Sequence, residues 1–265
     1  MDIATTTPPL CGPEFGSYAA DEVTWLLKDL SDVALEGELR ERERRIQSGQ
    51  AHYAESLPIE YQPGREYQEL FHATLRSSAQ RLAEAVGVVS ELIRAERHST
   101  PTLVSLARAG TPVGILIRRW MAAVHGIEPQ HYTISIVRAR GIDTVALDHI
   151  VARHPAESVV FVDGWTGKGV IARELNASIE RFNREHGTEI DSGLFVLSDL
   201  AGAAACAASC EDYLIPSSIL NATVSGLVSR SVLTDALGPR DFHGCVLYSD
   251  FTAHDRSRDF VDELE

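Results

Sequence analysis

Between residues 100 and 200 the chain repeats one unit about four times: a short apolar run, a polar loop, then a segment with helical spacing. The runs cover residues 101–107, 132–137, 158–162 and 194–197. Parallel strands need crossover connections of about a dozen residues or more, usually helical, and helices crossing both faces bury the strands between them. The repetition therefore predicts an α/β fold built on a parallel sheet. Thr111-Pro112 marks the first helix, with a threonine placed to cap and a proline at the first helical position. Helices are expected over about 111–124, over 144–153 and from the loop at 163–169 to about residue 185. An alanine-rich helix is expected after Ser198-Asp199, and residues 213–215 and 245–248 offer further short strands.

The texture differs before residue 97. Residues 1–16, rich in Pro, Thr and Gly, read as an irregular arm. Val23, Trp25, Leu26, Leu27 and Leu30 have helical spacing over 21–30, and residues 33–48 form a charged helix candidate. A loop over 49–64 leads into a long helix over 65–96, with a break expected near Gly87. The expected division is a helical N-terminal region over 1–97 and an α/β core over 98–265.

No stretch approaches the roughly 20 apolar residues of a membrane span, and the first residues lack a signal-peptide pattern. A cytoplasmic location is expected. The net charge of -14 argues against a general nucleic-acid-binding surface, so clustered cations become informative. Cys11, Cys206, Cys210 and Cys245 match no metal or redox spacing. Cys206 and Cys210 read as small buried residues on one helix face.

In open α/β sheets ligands bind outside the carboxyl ends of the strands. Three loops lie there: 108–111, 138–143 and 163–169. Each carries glycine, and together they supply Arg108, Arg138, Arg140, Asp143, Asp163, Thr166 and Lys168. Glycines let backbone N–H groups approach an anion, and helix N-termini favour negative charge. The loops suit a phosphate-rich ligand. A P-loop NTPase is disfavoured, because too few residues separate Gly164 from Gly167-Lys168 and Gly169 stands where a magnesium-binding Ser or Thr belongs.

Val159-Val160-Phe161-Val162-Asp163-Gly164-Trp165-Thr166-Gly167-Lys168-Gly169 resembles the phosphoribosyltransferase motif. The resemblance implies a type I phosphoribosyltransferase-like core with a helical N-terminal extension. It implies that Thr166, Gly167, Lys168 and Gly169 cradle the 5′-phosphate of phosphoribosyl pyrophosphate (PRPP). Asp163 would face the ribose hydroxyls or a water on Mg²⁺. Leu106-Ala107-Arg108-Ala109-Gly110-Thr111 is similar to the family's pyrophosphate loop, which assigns Arg108, Ala109 and Gly110 to pyrophosphate. Arg138 and Arg140 would meet another anion, and Asp143 a hydroxyl or base edge. The chain departs from the pattern at Gly164, where a second acid is usual, and in a shorter loop.

Phe15-Gly16-Ser17-Tyr18, His52-Tyr53-Ala54-Glu55, Arg138-Ala139-Arg140-Gly141-Ile142-Asp143 and Asn221-Ala222-Thr223-Val224-Ser225-Gly226 narrow the resemblance. They are similar to a bacterial family of predicted phosphoribosyltransferases found with tellurite-resistance and stress gene clusters. That family also carries the label cysteine protease StiP. The resemblance implies PRPP, Mg²⁺ and a base-like acceptor as partners, and helical N-terminal regions often pair subunits into a homodimer. Two other readings stay open. One is a cysteine protease, with Cys245 two residues after His243 and no papain or caspase motif. The other is a nucleotide sensor without turnover. Residues 52–55 are either an acceptor-site loop or N-terminal packing. Residues 217–230 either line a pocket or pack tightly through small side chains.

Overall fold

The computed structural model describes residues 5–37, 44, 47–48, 52–60, 62–97, 99–212 and 221–265. In chain order the strands are β1 (Thr24–Leu26), β2 (Lys28–Asp29), β3 (Glu36–Gly37), β4 (Leu57–Pro58), β5 (Thr102–Leu106) and β6 (Gln130–Ile134). They continue as β7 (Ile136–Val137), β8 (Gly141–Ile142), β9 (Val159–Thr166), β10 (Leu194–Asp199), β11 (Cys206–Ser209) and β12 (Gly244–Cys245). We number the helices α1 (Arg65–Glu96), α2 (Gly110–His125), α3 (Thr144–Val151), α4 (Val170–His186) and α5 (Ser257–Glu263).

Six strands form one parallel sheet in the order β1-β6-β5-β9-β10-β11. This is the parallel-sheet α/β class that the strand–loop–helix repetition predicts. Successive side chains of a strand point to opposite faces, and the sheet sorts them accordingly. Val160 and Val162 of β9, with Phe195 and Leu197 of β10, pack among residues of α1, α2 and α5. Val159, Phe161, Leu194 and Val196 pack on the other face against α3 and α4.

Several expectations are corrected. The apolar run at 21–30 is not a helix, because Trp25 and Leu27 enter one core cluster while Leu26 enters the other. That is a period of two, and it makes β1 the sheet's edge strand beside β6. The alanine-rich stretch is not a helix either. Asp199 accepts from the N–H groups of Ala201 (2.9 Å) and Ala204 (2.7 Å), which turns the chain before β11 pairs with β10. Cys206 therefore lies on a strand, half-buried, and Cys210 is exposed. Thr111 does not cap α2. The helix begins one residue earlier, and the Thr111 hydroxyl meets that of Thr133 at 3.0 Å. α1 runs unbroken through Gly87, where a Cβ would lie 2.9 Å from the Trp120 ring, so the glycine serves close helix crossing.

Residues 36–37 pair with 57–58 rather than continuing a helix, and most of 38–46 and all of 213–215 lie outside the described residues. The expected strand 132–137 is divided: β6 ends at Ile134, and β7 pairs antiparallel with β8 around a turn at 138–140. β1 and α1, both before residue 97, share core clusters with the later elements. In the 221–230 stretch Thr223, Ser225 and Ser229 are buried, Ser229 accepts from the Val246 N–H at 2.9 Å, and Gly226 donates to Ser257. Small polar side chains serve packing there.

Candidate functional site

Strand order reverses beside β5. The chain passes from β5 through α2 to β6 on one side, then through α3 back to β9 on the other side of β5. Ligands of such sheets bind in the crevice at that reversal, outside the strand ends. The loop after β5 and the loop after β9 meet there. Gly110 lies so close under β9 that a Cβ would stand 2.8 Å from the Val162 carbonyl oxygen and 3.4 Å from Asp163 Oδ1. Gly164 faces back toward Val113 and the Ala109 carbonyl. The Ala107–Arg108 peptide bond in this crevice is cis.

Both helices that start at the crevice start bare. α2 and α4 have no side-chain cap hydrogen bond and no acidic residue in the first turn. Their first N–H groups are not taken by capping side chains, and their dipoles favour an anion. Thr166 ends β9 and is buried, Gly167 packs against the Trp165 ring, and Gly169 opens α4 with φ of 65°. That left-handed conformation, with Ala203 crowding the absent Cβ at 2.5 Å, suits glycine alone. Lys168 is exposed and has no ion pair among the described residues. Trp165, 47% exposed, stands beside the loop.

Asp163 accepts one backbone hydrogen bond, from Gly164 N–H at 2.7 Å. Burial lifts its carboxyl to about 7, while that N–H pulls the other way. A desolvated carboxyl in a crevice is a functional signature. Arg108 is largely covered and its Nη1 stands 3.5 Å from Glu60 Oε1. Behind the crevice, Ser105 Oγ lies 2.9 Å from the Gly110 carbonyl oxygen and 2.7 Å from His131 Nε2, and His131 Nδ1 lies 2.9 Å from the Glu22 carbonyl oxygen. His131 is wholly buried, and burial lowers it to about 4.

The 138–143 residues divide. Arg138 and Ala139 border a cavity of about 530 Å³ with Val170 and Ile171 at the start of α4. The Arg138 N–H donates to Tyr53 Oη at 2.8 Å, and the Ala139 N–H donates to Glu174 of α4 at 2.8 Å. The 52–55 segment thus folds over this turn. Arg140 reaches Glu55 at 3.9 Å and borders a different cavity. Asp143 is buried, and its carboxylate accepts from Ala146 N–H (3.0 Å) and His243 N–H (2.6 Å). It caps α3 and clasps the 243 segment. The structure therefore brings Ala109 and Gly110 against Asp163 and Gly164, with Arg108 preceding them and Thr166, Gly167, Lys168 and Gly169 following at the end of β9, Arg138 beside α4, and Arg140 and Asp143 elsewhere. Sequence reasoning missed Trp165, the Ser105–His131 pair and the Ser135–His243 contact of 2.7 Å. Partners 26 and 108 residues apart leave no local signal.

The sequence pattern of the family described as "Tellurite-like stress resistance cysteine protease StiP" matches residues 16–265. The chain belongs to the StiP family. Within the family it is similar to "Cysteine protease StiP" of Acinetobacter baylyi, at 40% identity over 262 residues. The match covers 94% of this chain and 66% of that relative, so the chain spans just under two thirds of the relative's length. Among solved structures, an asparagine mutant of HPRT at an invariant aspartic acid has a TM-score of 0.34 and 12% identity, over 51% of this chain and 76% of that one. A mutant hypoxanthine phosphoribosyltransferase from Trypanosoma cruzi, complexed with the product IMP, has a TM-score of 0.34 and 13% identity, over 70% and 87%. Similarity at that level carries no argument about this chain.

The StiP family's name directs attention to the thiols. Cys245 is 0% exposed within the core, its Sγ donates weakly to the Lys28 carbonyl at 3.7 Å, and burial raises it far above the usual thiol range. Cys206 Sγ donates to Glu96 Oε1 at 3.1 Å. Burial, then Glu96, pushes it up to about 11. Neither resembles an activated thiolate. Among the described residues no histidine is hydrogen-bonded to a cysteine, and His243 turns its Nδ1 to Ser135 rather than to Cys245.

Proposed function

We propose that the β5/β9 crevice binds PRPP and that the protein is a phosphoribosyltransferase acting on a base-like acceptor. The observation that carries this reading is the pair of bare helix starts: α2, whose Gly110 packs against Asp163, and α4, which follows Asp163 after the end of β9. PRPP carries two anionic groups held apart by a ribose, and two anion-favouring helix ends with a nearby carboxyl suit that charge pattern. The loop over 166–169 would hold the 5′-phosphate through backbone N–H groups, with Lys168 as a mobile counter-charge. The loop over 108–110 would hold pyrophosphate, and Arg108 would exchange Glu60 for it. Asp163 would accept from the ribose hydroxyls. The C1′–oxygen bond breaks, pyrophosphate leaves with the electron pair, and the acceptor's nitrogen bonds to C1′ and gives up its proton to solvent. The chain's part is to orient the anions and stabilise the leaving group.

Among the described residues no three His, Cys, Asp or Glu gather to hold a metal. Were Mg²⁺ to accompany PRPP in this reading, Asp163 would be the carboxylate to hold it, directly or through water, and the ion would supply charge neutralisation of the leaving pyrophosphate. Among the described residues no helix is long and apolar enough to cross a membrane. A cytoplasmic reaction and a homodimer belong to the same proposal. Calorimetry with PRPP, with and without Mg²⁺, tests it. Micromolar binding, about −8 kcal/mol, that weakens in Lys168→Ala and Asp163→Ala supports it. A folded chain with no binding overturns it. Pyrophosphate release with an acceptor panel then separates turnover from sensing.

The family's name and the Acinetobacter relative favour a second reading, cysteine proteolysis. With Cys245 in the core, its nucleophile would be the exposed Cys210. No casein cleavage by the parent protein, or cleavage that survives iodoacetamide, would remove that reading.

A further inference from the structure

The cavity beyond the 138–140 turn lies outside the crevice proposed for PRPP, and its volume is about 640 Å³. His52 lines both this cavity and the smaller one that borders α4. Its walls are the start of α3, the 233–243 segment and the 52–56 segment. Its lining charge is lopsided: Glu55, Asp143, Asp235 and Asp241 against Arg140 alone. Most of these are already engaged. Arg140 lies near Glu55, Asp241 pairs with Lys28 at 2.6 Å, and both Asp143 oxygens accept backbone N–H groups. Asp235, a solvent-exposed residue of the lining, and one edge of the half-buried His243 remain without a hydrogen-bond partner among the described residues.

His243 is fixed at three points. Its N–H is held by Asp143, its carbonyl oxygen accepts from Lys28 N–H at 2.9 Å, and its ring Nδ1 meets Ser135 Oγ at 2.7 Å. Ser135 is wholly buried, and among the described residues His243 Nδ1 is the one acceptor in reach of its hydroxyl proton. A buried hydroxyl left without an acceptor is costly, so Ser135 donates to Nδ1. A neutral His243 then carries its own proton on Nε2, the edge left to meet the cavity. Burial disfavours the charged imidazole, and the nearby Asp143 carboxylate opposes that effect more weakly.

We propose that this cavity is a second ligand site for a small uncharged nitrogenous molecule bearing both a carbonyl or ring-nitrogen acceptor and N–H groups. His243 Nε2–H donates to the acceptor, and the Asp235 carboxylate takes an N–H. Amides, ureas and nitrogen heterocycles have that pattern. Carboxylates and phosphates are rejected, because they bring negative charge to an acidic wall and no N–H for Asp235. The site stands whether or not the crevice takes PRPP.

Benzamide and benzoate are matched in shape and differ in the two features at issue. Saturation-transfer NMR on the full chain at pH 7.5 compares them. The expected result is benzamide binding in the range of about 1–10 mM and benzoate at least about tenfold weaker. Asp235→Asn is expected to narrow that preference, and Leu237→Trp, which puts a larger ring into the lining, to weaken benzamide binding while thermal melting shows a folded protein. Equal binding of the two probes, tighter benzoate, no benzamide signal, or benzamide binding and preference left unchanged by both variants overturns the assignment. PRPP titration of the same variants reports on the crevice separately.

Discussion

Asp163 is held in the folded protein at a cost, and removing its charge exposes that cost. The carboxyl has an ordinary value of 3.8 and sits at about 7 in the fold, chiefly through burial. The folded state therefore binds a proton more readily than the unfolded chain. Below pH 4 both states are protonated and the group costs nothing. As pH rises from 4 to 7 the unfolded chain releases its proton first, and folding stability falls. At 1.36 kcal/mol per pH unit the loss reaches a ceiling of about 4 kcal/mol above pH 7. The crevice leaves the side chain partly wetted, and about 2 kcal/mol is the working figure. Asp163→Asn keeps the shape, and its Oδ1 still accepts from Gly164 N–H. The variant is expected to be more stable than the parent by about 2 kcal/mol at pH 8, with the gap closing by pH 4. Urea unfolding at four pH values measures this. A variant less stable at pH 8, or a gap independent of pH, refutes the reasoning. A gain in stability coupled to a loss of PRPP binding is the expected behaviour of a carboxyl kept for a ligand.

Three other predictions rest on packing and burial. A Cβ on Gly114 would lie 2.3 Å from both Ser105 Oγ and His131 Nε2. Gly114→Ala is therefore expected to destabilise by about 1–3 kcal/mol in chemical unfolding. His131 sits at about 4 against an ordinary 6.5. As pH falls from 6.5 to 4 the unfolded chain gains a proton that the fold refuses, and up to about 3 kcal/mol of stability is lost; a pH series of parent against His131→Gln should show the slope disappear. Iodoacetamide on the native protein is expected to label Cys210 and spare Cys245 until urea is added, as read by peptide mass spectrometry.

What the sequence disclosed was local. The buried strands, the loops at their ends and the glycines at 110 and 169 announce themselves over ten residues, because apolar runs and loop chemistry are short-range properties. β1 stayed hidden because its three residues follow and precede other apolar ones, so a period of two looked like a helix face. The 199–210 stretch misled because alanine favours helix, whereas one aspartate side chain captured two backbone N–H groups and turned the chain. Asp143 stood out as a residue that matters, but what it holds could not be read, since its partner His243 comes a hundred residues later. Arg108 and Glu60 are joined the same way, across the fold.

The hydroxyl of Ser105 has one proton and two claimants. Since the Glu22 carbonyl can only accept, its contact with His131 needs a proton on Nδ1, which leaves the Nε2 of a neutral ring as an acceptor. Ser105 Oγ then faces Nε2 and the Gly110 carbonyl oxygen at similar distances, and can donate to one at a time. A turn about a single side-chain bond moves that proton from the core to the loop. The floor of the crevice is thus gripped from behind by a rotor, and its first helical carbonyl can be taken or let go without any backbone atom moving.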